Sequence, residues 1–204
     1  DKDSSAEDLA LNCLAFGDIS PLYKDLVASN SLASALGGST MYFSKGGCHF
    51  LRLACPVENI DKLLKAFEKS LTTVLKEGFS ENDITRIKNQ YLSSKVYERE
   101  TSESYAFALG HSFAQTGNIH SEDEFINQMR HVTKSQVSRA LRNVFSRDMH
   151  INVQLPLDHE IKDFEGKFTK LRTKINTVAA KSIKAIATNK VTPPAFDTEA
   201  KCIE

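Results

Sequence analysis

The feature that most constrains this chain is a change of hydrophobic period. Ser39-Thr40-Met41-Tyr42-Phe43-Ser44 and Cys48-His49-Phe50-Leu51-Arg52-Leu53-Ala54-Cys55 are β-prone runs joined across Gly46-Gly47. That is the pattern of a hairpin with a glycine turn. On either side the period is helical. Residues 7–16 form a compact apolar run stopped by Gly17, and Pro21 opens a short helix over 22–28, since proline suits a first helical turn. Downstream, Ile60, Leu63, Leu64, Phe67, Leu71, Val74 and Leu75 recur at helical spacing, and Gly78 ends the run. Ser80 with Asp83 reads as the cap of a helix carrying Ile84, Ile87 and Tyr91, and another helix spans about 102–115. Thr133-Lys134-Ser135-Gln136 fits a capping box ahead of Val137, Leu141 and Val144. Residues 149–155 alternate Ile151, Val153 and Leu155 with His150, Asn152 and Gln154, which predicts a half-buried strand. Helices, hairpin, helices and strand in that order predict an α+β fold with helices stacked on one sheet face.

Composition removes several functions. Hydrophobic residues make up 41% of the 204 residues and charged ones 25%, enough for an ordinary core. The 26 basic and 26 acidic side chains cancel, which argues against a nucleic-acid binder with its basic face. No apolar run approaches the roughly 18 residues of a membrane span. The polar start, Asp1-Lys2-Asp3-Ser4-Ser5, has neither the basic nor the apolar region of a signal peptide. The absence of an initial Met predicts a processed or excised chain.

No catalytic or metal-binding constellation stands out in the sequence. Cys13, Cys48, Cys55 and Cys202 have no close-pair spacing and read as three small buried residues and a tail thiol. Histidines stand at 49, 111, 120, 131, 150 and 159, with no two placed to share a helix face toward a metal. The acids of His120-Ser121-Glu122-Asp123-Glu124 suit a helix N-terminus better than a ligand set. Residues 97–100 with Ser102-Glu103 read as surface charge at a helix end. Gly37-Gly38 and Gly46-Gly47 read as hairpin joints rather than phosphate cradles, and no Walker, G-x-G-x-x-G or G-x-S-x-G motif occurs. No catalytic residue and no metal ligand can be assigned, and no residue can be named as substrate-binding.

The tail has its own pattern. Ile161, Phe164, Phe168, Leu171, Ile175 and Val178 form a short heptad stripe, and seven basic residues with no acidic one lie between Lys167 and Lys190. Such a helix can lie on a membrane or clasp a partner, but the plainer reading is an interdomain helix with solvated lysines. Residues 191–196, with Pro193-Pro194, read as an extended linker.

One resemblance goes further. Leu22-Tyr23-Lys24-Asp25-Leu26-Val27 followed by Leu32-Ala33-Ser34-Ala35 resembles the region before a hairpin in second domains of the pitrilysin/insulinase/mitochondrial-processing-peptidase family. Val57-Glu58-Asn59-Ile60, then Leu75-Lys76-Glu77-Gly78-Phe79-Ser80-Glu81-Asn82-Asp83-Ile84 and Arg86-Ile87-Lys88, are similar to the helix pair that follows there. Glu103-Ser104-Tyr105-Ala106 and Val132-Thr133-Lys134-Ser135-Gln136-Val137 continue the order. The similarity spans roughly residues 7–155. It implies a mixed β-sheet of about five or six strands flanked by helices. It implies that residues 1–157 are a second domain lacking its first strand, with 158–204 as helix and linker of a longer bacterial protein. Family members hold zinc in a first domain through an HxxEH motif and a downstream glutamate, and that motif is absent here. Active second halves carry an Arg and a Tyr seven residues apart, where this chain has Val27 and Ser34. The resemblance thus implies a non-catalytic, chamber-forming domain of a zinc-dependent peptide-degrading protease, inactive alone. Its partners would be the zinc-bearing first domain, the second half of the same protein and peptide substrates. The alternative is a zinc-less scaffolding or assembly subunit. Tandem bacterial relatives are often exported, which leans toward a periplasmic location.

Overall fold

The computed structural model describes residues 3–43 and 46–188. The linker expected at 191–196, the tail thiol Cys202 and Ser44 lie outside the described residues. In chain order the elements are α1 (Ser4–Ala15), α2 (Pro21–Tyr23) running on into a π-helical turn (Lys24–Ala28), β1 (Ala35–Phe43), β2 (Gly46–Ala54), α3 (Ile60–Glu77), α4 (Glu81–Tyr97), α5 (Ser102–Thr116), α6 (Ser121–His131), α7 (Lys134–Ser146) and α8 (Phe164–Thr188).

The fold is α+β, but its sheet is smaller than expected. Among the described residues it has two antiparallel strands, not five or six. The register runs from Ala35 opposite Ala54 to Phe43 opposite Gly46. Gly46 and Gly47 therefore open the second strand rather than form the turn. Gly47 is needed there, because a Cβ on it would sit 2.7 Å from the Met41 carbonyl oxygen. Gly37 and Gly38 likewise lie within β1 rather than at a joint. Residues 149–155 keep the alternation of a strand but join no ladder among the described residues.

Helix α1 is the centre of the molecule. Nine of its residues are buried, from Ser5 to Ala15, and it packs against β1, α2, α4, α6 and α7. A helix apolar on nearly every side must be surrounded to be stable, and here the other elements surround it. The remaining helices begin and end as their sequences dictate. Ser80 accepts a hydrogen bond from the Asp83 amide, Thr101 accepts one from the Ser104 amide, and Thr133 with Gln136 forms a complete capping box. Gly78 ends α3 in a left-handed conformation, φ +76°, which glycine adopts without strain.

Helix α8 begins at Phe164, so Ile161 lies outside it. Leu171, Ile175 and Ala179 are buried with Phe168 and Val178 beside them, and the helix packs on α3 and α7. Its lysines pair across that seam, Lys167 with Asp61 at 2.6 Å and Lys174 with Glu68. The apolar stripe thus faces this chain's own core.

Leu14 is fully buried in α1. Leu14→Ala should lower unfolding free energy by about 2–5 kcal/mol in urea titrations. Gly47→Ala should also destabilise, by about 1–3 kcal/mol, because the strand must shift to admit the methyl group.

Candidate functional site

The densest polar cluster lies where α1 passes under the hairpin. Glu7 is buried on α1, and its carboxylate has two partners. One oxygen is 3.3 Å from His49 Nε2 on β2, and the other accepts a 3.0 Å hydrogen bond from Arg147 Nη2, just past α7. The other ring nitrogen, His49 Nδ1, is 3.1 Å from the Thr40 hydroxyl of β1. Thr40 and His49 are direct cross-strand partners, so their side chains share the inner face. Asp8, the next residue of α1, hydrogen-bonds Thr40 in turn. Tyr42 Oη donates to the Ser4 carbonyl at 2.8 Å and its ring lies 5.9 Å from that of Phe125.

The electrostatics follow from these contacts. The His49 hydrogen bond, aided by Arg147 and opposed by burial, holds the Glu7 carboxyl below the ordinary glutamate value. Burial pushes the Asp8 carboxyl up, partly offset by Thr40. Burial also raises the Tyr42 phenol and pushes Tyr91 up to about 12, so neither ionises near neutral pH. The cluster joins α1, both strands and the end of α7.

A second network was undervalued in sequence. Arg99, just past α4, binds Asp123 at 2.7 Å and Glu122 at 2.9 Å on the first turn of α6. Lys95 binds Glu98 at 2.7 Å and Glu122 at 3.1 Å. Charge near residues 97–100 is therefore an α4–α6 clamp, not only solvated surface. The acids after His120 do open a helix, as expected. Burial works against ionisation of Glu122, but Arg99 and Lys95 outweigh it and lower its pKa. Beside the clamp lies a shallow groove of about 270 Å³, lined by Leu92, Val96, Ile126 and Arg130 among others.

The remaining candidates do not converge. His111 stacks on Phe107, His131 bonds the Asn127 carbonyl, and His150 and His159 are exposed. Cys13 is buried, and burial pushes its thiol up to about 12. Cys48 is exposed on the outer hairpin face and Cys55 is half-buried, so the expectation of three buried cysteines holds for Cys13 alone. Val27 is half-buried in the π-helical turn and Ser34 is exposed, its hydroxyl 3.3 Å from the Ala54 carbonyl. Among the described residues no three His, Cys, Asp or Glu side chains are placed to hold a metal ion. At its one His–carboxylate contact on the hairpin, the Glu7 carboxylate already carries Arg147. The residues that meet there, a carboxylate shared by a histidine and an arginine, do not fit zinc. No helix among them is long and apolar enough to cross a membrane.

The cluster was missed in sequence because its members stand 42 and 140 positions apart, as with Glu7–His49 and Glu7–Arg147. The only local signal was a pair of acids, Glu7 and Asp8, inside an apolar helix.

Comparison with known proteins supplies what the geometry does not. Residues 1–91 match the family model described as the peptidase M16 inactive domain. A candidate zinc protease from Bordetella pertussis Tohama I aligns at 26% identity over 69% of this chain and 78% of that one, with a TM-score of 0.59. The inactive peptidase domain of a candidate zinc protease from Bordetella parapertussis aligns at 25% identity over 69% and 76%, with a TM-score of 0.60. The peptidase M16 inactive domain from Pseudomonas fluorescens shares the fold, at 18% identity over 74% of this chain and 34% of that chain, with a TM-score of 0.61. A comparison with curated proteins finds no match.

Glu7→Gln should cost about 1.5–3 kcal/mol at pH 7, since a buried charged hydrogen-bond acceptor is lost. The native pKa of Glu7 lies below its unfolded value, so its contribution is present above the ordinary 4.5 and is lost as pH falls through the native value. Unfolding titrations should show wild type and variant converging below that range. Asp8 has the opposite sign: its native pKa is raised, so its contribution is lost as pH rises through the native value. Asp8→Asn should therefore gain on wild type with rising pH.

Proposed function

We propose that this chain, an M16 inactive-peptidase-type domain by its family match and its structural neighbours, is the non-catalytic, chamber-forming second domain of a zinc-dependent peptide-degrading protease. The observation that carries the reading is the match of residues 1–91 to the inactive domain, with neighbours named as candidate zinc proteases over about two thirds of the chain. Residues 1–157 would form the domain and 158–204 the helix and linker that follow. Zinc and its activated water would belong to a separate first domain. A first domain and a second half of the same protein, and the peptides they enclose, would be the partners.

The physical features support a positioning role. The polar groups at the hairpin are spent on holding α1, β1, β2 and the end of α7 together. A domain of this kind contributes by shape and by rigid placement of its surface.

The test uses the full-length gene product and this chain side by side. Full-length protein should hold stoichiometric zinc by atomic absorption and cleave unstructured peptides in a chelator-sensitive way. This chain alone should do neither. Chelator-sensitive cleavage by the pure 204-residue chain would overturn the reading. A full-length product with no zinc-binding motif would favour a scaffolding subunit instead.

A further inference from the structure

Side chains that bridge two elements must agree on which of them donates. Along Glu7, His49, Thr40 and Asp8 that agreement fixes a proton count. Glu7 is ionised at neutral pH, because His49 and Arg147 hold its carboxyl below the ordinary value, and its Oε1 accepts from Arg147 Nη2. An ionised carboxylate can only accept. The His49 Nε2 that lies 3.3 Å from Glu7 Oε2 therefore carries a hydrogen. The Thr40 hydroxyl stands between the other ring nitrogen, Nδ1, and the Asp8 carboxyl, and it has one hydrogen to give.

Two arrangements satisfy all of these contacts. In one, His49 is an imidazolium whose Nδ1–H donates to Thr40, while Thr40 donates to an ionised Asp8. In the other, neutral His49 accepts from Thr40 at Nδ1, while a protonated Asp8 donates to the Thr40 oxygen. Both hold one proton more than neutral His49 with ionised Asp8. They interconvert when Nδ1 passes its proton to Thr40 Oγ1 as Thr40 passes its own to an Asp8 oxygen, so the net charge stays the same. Once that extra proton leaves, Thr40 can serve only one neighbour, and the other contact sets two acceptors face to face. His49 is only 16% exposed there, and an acceptor left without a donor away from water is destabilising.

The surrounding groups are engaged elsewhere. Tyr42 of β1 gives its hydroxyl hydrogen to the Ser4 carbonyl of α1, and Arg147, past α7, is on Glu7. From α4, Lys95 pairs with Glu98 and with Glu122 of α6, and it reaches Asp8 only through its charge, which favours the ionised form. Tyr91 of α4 stays neutral, its phenol pushed up to about 12 by burial. Thr40 and His49 are direct partners across the two strands, and Asp8 belongs to α1, so the shared proton lies on the joint between helix and hairpin. We propose that Asp8, Thr40 and His49 form a proton-operated latch: one proton shared through Thr40 closes it, and loss of that proton at rising pH loosens β1 and β2 from α1.

Hydrogen exchange on the full-length natural protein tests it, with rates corrected for the intrinsic effect of pH and α3 amides as the internal standard. The series runs from about pH 5 to pH 9, the span in which imidazoles and carboxyls raised by burial titrate. Protection of the paired amides of 35–43 and 46–54 relative to α3 should fall at least about tenfold as pH rises, in one step. Asp8→Asn is the decisive variant. Its amide donates to Thr40 at every pH, which leaves Thr40 free to donate to Nδ1, so its hairpin should stay protected with no step. Thr40→Val should show low protection throughout. A wild-type hairpin whose protection is flat over the series would overturn the latch, and so would a step that survives in Asp8→Asn. Loss of protection only toward acid pH would leave the Glu7 pairing as the sole titrating contact and overturn it too.

Discussion

The structure depends on the burial of α1. Leu9, Ala10 and Leu14 are fully buried within it, and Cys13 and Ala15 nearly so. Each of the two leucines at that depth contributes roughly 1.5–3 kcal/mol relative to exposure. A helix buried on all sides cannot be stable until its neighbours arrive, so the hairpin, α4, α6 and α7 form around it. Glu7 is the exception in that helix, and its position is explained by need. Removing a charge from water is tolerated when it is paired and hydrogen-bonded, and Glu7 has partners on β2 and past α7. The contact that makes the charge tolerable also fixes the hairpin to the helix.

Arg142 does similar service at the far end of α3. It is buried, donates to the Leu75 carbonyl at 2.8 Å and the Lys76 carbonyl at 3.3 Å, and so satisfies acceptors that a helix C-terminus leaves open. Its cation also lies at the negative end of the helix dipole. Among the described residues the buried charges, Glu7 and Arg142, are therefore attached to an element junction and to a helix end. That distribution suits a part that holds shape, since catalytic centres aim polar groups at a space a substrate can enter.

Much of this was legible because it is local. Caps at Ser80 and Thr133, the stop at Gly78, the apolar stripe of α3 and the heptad of α8 each lie within a few turns of chain. Their physics acts over three or four residues, so spacing reveals it. The family resemblance was legible for a related reason: weak local motifs stand in order along the chain, and residues 1–91 match the family model. The Glu7–His49–Arg147 cluster and the Arg99 clamp were not legible. Their partners meet only after the chain has folded, and no spacing rule links residues 23 to 140 positions apart.

Two of the differences in the sheet have physical causes that spacing does not carry. Gly46-Gly47 looked like a turn because paired glycines permit unusual backbone angles. Here they serve close approach, with Gly47 lying against the Met41 carbonyl. Residues 149–155 looked like a strand because their side chains alternate, and they do alternate in exposure. Alternation reports that one face of an extended segment is covered. It carries no information about which backbone lies alongside, because every residue contributes the same donor and acceptor to a ladder. Sequence can thus place a segment on a surface and turn its apolar side inward, while the count of strands depends on segments it cannot name.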